Sequence, residues 1–218
     1  MSYFNQAIET MPLDKLRALQ NEKLKILVQN MYQHIPFYKQ AFDEKGITPN
    51  DIQRVEDLHK VPFTALRDNY PFGLFATPRE QLSRLHCSSG TTGKPIVVGY
   101  TKNDIETFSE VVARSLHAAG CRPGMLMQNA YGYGLFTGGL GLHYGAEKLG
   151  MTVLPISGGG TDKQIMLMLD FKSDAICCTP SYALTLAETM KKMGLSPEDI
   201  PFKYPVLGAE PWTESVRA

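Results

Sequence analysis

The chain has 218 residues, with 22 basic and 22 acidic side chains and a formal net charge of zero. Hydrophobic residues make up 43% of it, which supports a packed core and excludes a disordered chain. The charge balance offers no basic surplus to draw nucleic acid and no acidic tail to draw a basic partner. No apolar run approaches the roughly 20 residues a membrane helix needs. The first ten residues lack the basic start and apolar core of a signal peptide, so a cytoplasmic location is expected. Four cysteines, Cys87, Cys121 and the adjacent Cys177 and Cys178, form no C-x-x-C pair. They read as buried thiols of a reducing compartment, neither a disulfide framework nor a zinc site.

Taken in order, the first 80 or so residues read as helical. Leu24, Leu27, Val28, Met31 and Ile35 fall on one apolar stripe, and Pro36 ends it. A shorter helix runs to Lys45 and stops at Gly46. Pro49, Pro62 and Pro71 break the next stretch into turns. Near residue 81 the texture changes. Residues 82–87 alternate like a strand, and 95–100 read as a second. Thr101 with Asp104 has the form of a capping box. The helix it opens carries Ile105, Phe108, Val111, Val112 and Leu116 on one face and ends at Gly120. Strands are expected at 125–130, 151–156, 175–179 and from 202, with helices at 139–149, 161–171 and from Pro180 to before Gly194. Strands separated by helices predict an α/β fold: a helical region over 1–80, then over 81–218 a parallel sheet covered by helices.

Between the first two strands lies Ser88-Ser89-Gly90-Thr91-Thr92-Gly93-Lys94-Pro95. Its glycines permit close backbone approach and positive φ. Exposed N–H groups in such a turn form an anion nest. The hydroxyls add donors, and Lys94 adds a compact positive charge. Phosphate is the guest this chemistry suits. A P-loop is excluded: only two residues separate Gly90 from Gly93, a proline follows the lysine, and a strand follows in place of a helix. By composition alone, a polar hairpin loop accounts for the same letters.

Further on, Tyr131, Tyr133 and Phe136 stand among Gly132, Gly134, Gly138 and Gly139. Small residues beside aromatics leave room for a flat ring. A glycine-rich turn with core aromatics is the plainer reading. Ser157-Gly158-Gly159-Gly160-Thr161 opens a helix and could touch phosphate, though an ordinary connecting loop explains it. His86, His117 and His143 are too scattered to suggest a metal site, and no metal ligand set is assigned. Lys191 and Lys203 are given no role.

The loop Ser88 to Pro95 resembles the first signature of the adenylate-forming superfamily of acyl-CoA synthetases, adenylation domains and luciferases. Several segments resemble one branch of it, the phenylacetate–CoA ligases. They are Ala130-Tyr131-Gly132-Tyr133-Gly134-Leu135-Phe136-Thr137-Gly138-Gly139-Leu140-Gly141, Asp170-Phe171-Lys172, Thr179-Pro180-Ser181-Tyr182 and Gly208-Ala209-Glu210-Pro211-Trp212. Tyr32, Pro36, Phe37 and Tyr38, and the turn Lys60-Val61-Pro62-Phe63, fit the same branch.

The resemblance implies a two-step reaction. An aryl acid such as phenylacetate attacks the α-phosphate of Mg-ATP to give an acyl-adenylate and pyrophosphate, and the thiol of coenzyme A then displaces AMP. It implies that Ser88, Ser89, Gly90, Thr91, Thr92, Gly93 and Lys94 hold the phosphates, with Thr91, Thr92 and Lys94 assisting catalysis. Gly208, Ala209, Glu210 and Pro211 are implied to lie against adenine. Tyr131, Tyr133, Phe136, Gly138 and Leu142 are implied to wall the acid pocket, Leu142 as a size gate. Glu210 is read either as a carboxylate near Mg²⁺ or as a polar rim residue. A homodimer is implied by the habit of the family.

The pattern of the family continues beyond residue 218, with a Tyr-Gly-x-Ser/Thr-Glu motif, a ribose-binding Asp and an adenylation lysine. The chain is therefore expected to be truncated and unable to form acyl-CoA alone. Two other readings stand beside this one: an adenylyltransferase that uses no coenzyme A, as in the coenzyme F390 synthetases, and a non-catalytic binding module.

Overall fold

A computed structural model describes residues 2–62, 69–88 and 93–217. The chain forms two compact units, one of residues 5–103 and one of residues 104–218 together with 1–4. The sequence turns from helical to strand-forming near residue 81, whereas the compact units divide at residue 103.

The first unit is built on helices α1 (Gln6–Glu9), α2 (Leu13–His34) and α3 (Pro36–Glu44), followed by single 3₁₀ turns at Pro49–Asp51, Val55–Lys60 and Arg79–Gln81. Pro36, which ends α2, also opens α3, where its fixed φ costs nothing and its missing N–H is not needed. Leu24 and Val28 of α2 pack with Phe42 of α3 and with Ile52. The apolar stripe is narrower than its letters: Leu27 is 54% exposed. Strands β1 (Arg84–Cys87) and β2 (Val97–Tyr100) then pair antiparallel, Arg84 opposite Tyr100 and Cys87 opposite Val97. The expected strand–loop–strand is thus a hairpin.

The second unit is a helix-covered parallel sheet. Helix α4 (Lys102–Ala118) runs across the join and leads to β3 (Leu126–Asn129), α5 (Thr137–Leu149), β4 (Thr152–Leu154), α6 (Thr161–Phe171), β5 (Ala175–Cys178), α7 (Pro180–Lys192), β6 (Tyr204–Leu207) and the short α8 (Glu214–Arg217). All pairings are parallel, in the order β4-β3-β5-β6. Successive side chains of a strand point to opposite faces, and β5 shows it. Ala175 and Cys177 join Ala113 and Leu116 of α4 and Ala146 and Leu149 of α5 on one face. Ile176 and Cys178 join Ile165 and Met168 of α6 and Leu186 and Met190 of α7 on the other. The adjacent cysteines are therefore core thiols of two different layers, and all four cysteines are free. Burial holds the Cys177 thiol far above its ordinary range and pushes that of Cys178 up to about 11, so neither is a nucleophile near neutral pH. Helix α5 lies tight on α4 because Gly145 leaves room: a Cβ there would stand 2.3 Å from Val112 Cγ1.

Strand order fixes where a ligand can enter. From the end of β3 the chain passes through α5 to β4 on one side, and from the end of β5 it passes through α7 to β6 on the other. Helices α5 and α7 lie on opposite faces. The two connections diverge at the carboxyl ends of β3 and β5, which is the crevice where open α/β sheets bind ligands. Among the described residues no helix is long and apolar enough to cross a membrane.

Candidate functional site

Residues 131–136 leave the carboxyl end of β3 and so start at this crevice. Tyr131 is half-buried. Its hydroxyl lies 2.7 Å from the carbonyl oxygen of Cys178, at the end of β5, and 3.0 Å from that of Gly208, just past β6. One side chain thus stitches the ends of three strands. Burial pushes its phenol up to about 12, so it stays a neutral donor. Tyr131, expected as a pocket wall, is a fastener, and the segment it fastens is the one expected to meet adenine.

That segment, Gly208-Ala209-Glu210-Pro211, is held from a second side. The Glu210 carboxylate accepts from the Ser181 backbone N–H at 3.1 Å and from its hydroxyl at 2.9 Å. Ser181 sits in the first turn of α7, where N–H groups lack helical partners and a negative charge is favoured. The hydroxyl and backbone donors of Ser181 hold the Glu210 carboxyl below its ordinary range. Ala209 takes φ +69°, a left-handed conformation that a non-glycine residue adopts at some cost. Glu210 therefore acts as a helix-end anchor. Among the described residues no group of three or more His, Cys, Asp or Glu side chains could hold a metal ion.

Tyr133 turns back onto α5. Its hydroxyl accepts from the Asn129 amide at 2.8 Å and lies 3.1 Å from His143 Nδ1. Phe136, by contrast, is 57% exposed beside Leu135 at 60%. An apolar pair standing out of a turn at a ligand crevice is unusual for a surface and suits an apolar guest. Gly138 faces the Tyr131 ring, with room for a Cβ at 3.9 Å. Leu142, expected as a size gate, packs with the core cluster of α4 and α5.

In the other unit, the described ends of the Ser88–Lys94 loop are closed by two bonds. Ser88 N–H donates to Ile96 O, and Ile96 N–H donates to the Ser88 hydroxyl, both at 2.9 Å. The Ser88 hydroxyl thus fastens the neck of the loop. Gly93 takes φ +137°, which suits glycine alone. The Lys94 ammonium rests 4.9 Å from the centre of the Tyr70 ring, a contact that keeps an exposed lysine extended without neutralising it. Ser89, Gly90, Thr91 and Thr92 lie outside the described residues.

Three participants carried no signal strong enough to single out in the sequence. Ser181 lies inside the segment Thr179-Pro180-Ser181-Tyr182, whose resemblance gives it no role. Asn129 is an amide at the end of an otherwise apolar strand. His143 reads in the sequence only as one of three scattered histidines; its spacing of four from Glu147 on a helix is the legible clue.

No protein-family model matches the chain. It is 62% identical over 217 residues to a phenylacetate-coenzyme A ligase of Thermus thermophilus, covering 98% of this chain and 49% of that protein. The chain is thus a relative of the phenylacetate–coenzyme A ligases. Relatives of the same name in Aromatoleum evansii and Escherichia coli K12 are 57% and 52% identical, each again covered over 49% of its length. The chain spans about half the length of the curated relatives it matches. Among solved structures it is similar to 2-hydroxyisobutyryl-CoA ligase in complex with 2-HIB-AMP and CoA, at a TM-score of 0.89 and 29% identity over 96% of this chain and 46% of that one. An open conformation of the same ligase gives 0.90 and 28% over 98% and 52%. The fold expected from the sequence, a parallel sheet covered by helices after a helical region, is the fold of these ligases.

Proposed function

We propose that this chain supplies the acid- and nucleotide-binding part of an AMP-forming ligase that activates phenylacetate or a related aryl acid and passes it to coenzyme A. The observation that carries the reading is the Tyr131 stitch. Its support for the reading is that Tyr131 meets Gly208 at the switch point of the sheet, and that the exposed Phe136 belongs to the turn that leaves the same strand end. An aryl group set against Tyr131 and Phe136 leaves its carboxylate near the segment proposed to hold adenosine.

The chemistry follows from what a carboxylate lacks. It is a poor electrophile, so one oxygen attacks the α-phosphorus of ATP, the bond to pyrophosphate breaks, and the acyl carbon gains AMP as a leaving group. The thiol of coenzyme A then attacks that carbon, forming the thioester and releasing AMP. Charge builds on the departing pyrophosphate, where the backbone donors and hydroxyls of residues 88–93 and the Lys94 ammonium would stabilise it most. Mg²⁺ in this reading travels with ATP as part of the substrate.

The test is acid-dependent ATP–pyrophosphate exchange by the chain joined to the remaining half of the Thermus relative. Phenylacetate should drive exchange, and Lys94→Ala should lower it roughly tenfold or more while leaving the phenylacetate dissociation constant unchanged. Exchange that is indifferent to Lys94 would refute the phosphate role. Exchange without thioester would mark an adenylyltransferase that does not use coenzyme A.

A further inference from the structure

Four side chains behind the acid-binding turn form one directed chain of hydrogen bonds. It begins at Asn129, which is fully buried at the end of β3. Its amide nitrogen donates to Gly139 O and to the Tyr133 hydroxyl, both at 2.8 Å, and its amide oxygen accepts the Tyr131 N–H at 3.2 Å. The reverse amide orientation would set two oxygens against each other at Gly139, so the assignment is fixed. Because Asn129 donates to Tyr133, the phenol proton must go elsewhere. Its other neighbour is His143 Nδ1 at 3.1 Å. Nδ1 must then accept, which leaves the ring proton on Nε2, and Nε2 lies 3.1 Å from Glu147 Oε1 one helical turn on. Each group has one consistent role: Asn129 donates to Tyr133, Tyr133 to His143, and His143 to Glu147. The His143 ring also meets Tyr133 edge-on at 5.7 Å and Tyr144 at 5.5 Å, which fixes its plane.

We propose that His143, oriented by Glu147, is a positioning residue for aryl-acid recognition, acting through the Tyr133 hydroxyl on the turn of residues 131–136. The inference rests on the aryl-acid reading of that turn. Its mechanical basis is local. Gly132 and Gly134 flank Tyr133, and a Cβ on either would meet nothing within 4 Å, so neither neighbour brings a side chain to help place Tyr133. Tyr131 is tied to the strand ends, whereas Tyr133 is tied to α5. Phe136 is the N-cap of α5, so α5 holds the turn twice, at Phe136 through the backbone and at Tyr133 through His143. A histidine whose Nε2–H is held by a carboxylate presents Nδ1 as a fixed acceptor.

Two measurements on the 218-residue chain test this. Ring ¹⁵N spectra should show His143 in the Nε2–H tautomer, with the Nδ1 resonance shifting when Tyr133→Phe removes its donor. Titration with phenylacetate should show roughly tenfold weaker binding in His143→Leu, the loss of one hydrogen bond. It should show binding within about threefold of the parent in His143→Asn, whose side-chain oxygen can take the place of Nδ1. ATP binding should not move in either variant. Equal weakening in both variants, a parallel loss of ATP binding, or an Nδ1–H tautomer would each overturn the proposal. If the unaltered chain shows the expected tautomer but binds no phenylacetate, the aryl-acid reading has failed rather than the geometry, and the positioning role falls with it.

Discussion

Gly138 and Gly139 are neighbours at the start of α5, and the structure assigns them opposite sensitivities to the same change. A Cβ on Gly139 would stand 2.3 Å from Gly132 O, 3.0 Å from Gly132 C and 3.3 Å from Tyr131 O. These are backbone atoms, and the turn that carries them is tied down by Asn129, which bonds both Tyr131 N–H and Gly139 O. The turn or the helix must shift by about 1 Å, and overpacking of this kind costs about 1–3 kcal/mol or more. Alanine returns up to about 1 kcal/mol of helix propensity. The expected net loss for Gly139→Ala is about 2 kcal/mol, which for a chain of this size lowers the thermal midpoint by about 4–8 °C. On Gly138 the nearest atom to a Cβ is Tyr131 Cδ1 at 3.9 Å, an ordinary contact. Gly138→Ala should therefore leave stability within about 0.5 kcal/mol of the parent, on the stabilising side. Thermal unfolding followed by circular dichroism reads both. Shifts of the same sign and size in the two variants would refute the close approach of α5 to the 131–132 backbone.

Tyr131→Phe keeps the ring and removes the hydroxyl that reaches Cys178 O and Gly208 O. Stability should fall by about 1 kcal/mol, and ATP binding should weaken more than phenylacetate binding; the reverse order would show that the hydroxyl serves the acid instead. In the other unit, Asp57 accepts from Lys60 Nζ at 2.8 Å and from the N–H groups of Gln53 and Arg54. Lys60 first, then those N–H groups, hold its carboxyl at about 2. Its pKa is therefore lower folded than unfolded, so its contribution is fully present above about pH 4 and is lost as pH falls towards 2. Asp57→Asn should be less stable at neutral pH and should lack this part of the acid sensitivity. Parallel pH–stability curves for parent and variant between pH 4 and 2 would contradict the assignment.

Much of the architecture was written in periodicity. The 3.6-residue stripe of α4, and the alternation of short apolar strands with helices after it, point to a covered parallel sheet. Where the letters misled, tertiary packing decided. Leu27 shares a helical stripe with Leu24 and Val28, yet the core of that unit, built on Phe42 and Ile52, is too narrow to reach it.

The candidate site was legible where a residue acts by its own chemical type and illegible where it acts through a partner. Glycines and a lysine announce a phosphate loop, and aromatics among glycines announce space for a ring, because those properties travel with the residue. The work of Glu210 depends on Ser181, twenty-nine positions away, whose helix end it meets. A carboxylate whose letters fit either a place near Mg²⁺ or a polar rim is held at that helix end by two donors from one residue. His143 shows the same dependence. Alone it is a helical histidine of no fixed meaning; between the hydroxyl of Tyr133 and the carboxylate of Glu147 it has one tautomer and one direction. Sequence spacing could offer only the Glu147 half of that arrangement, because i and i+4 meet on any helix. The other half required the turn to fold back over α5, and that depends on the close approach that only Gly139 allows.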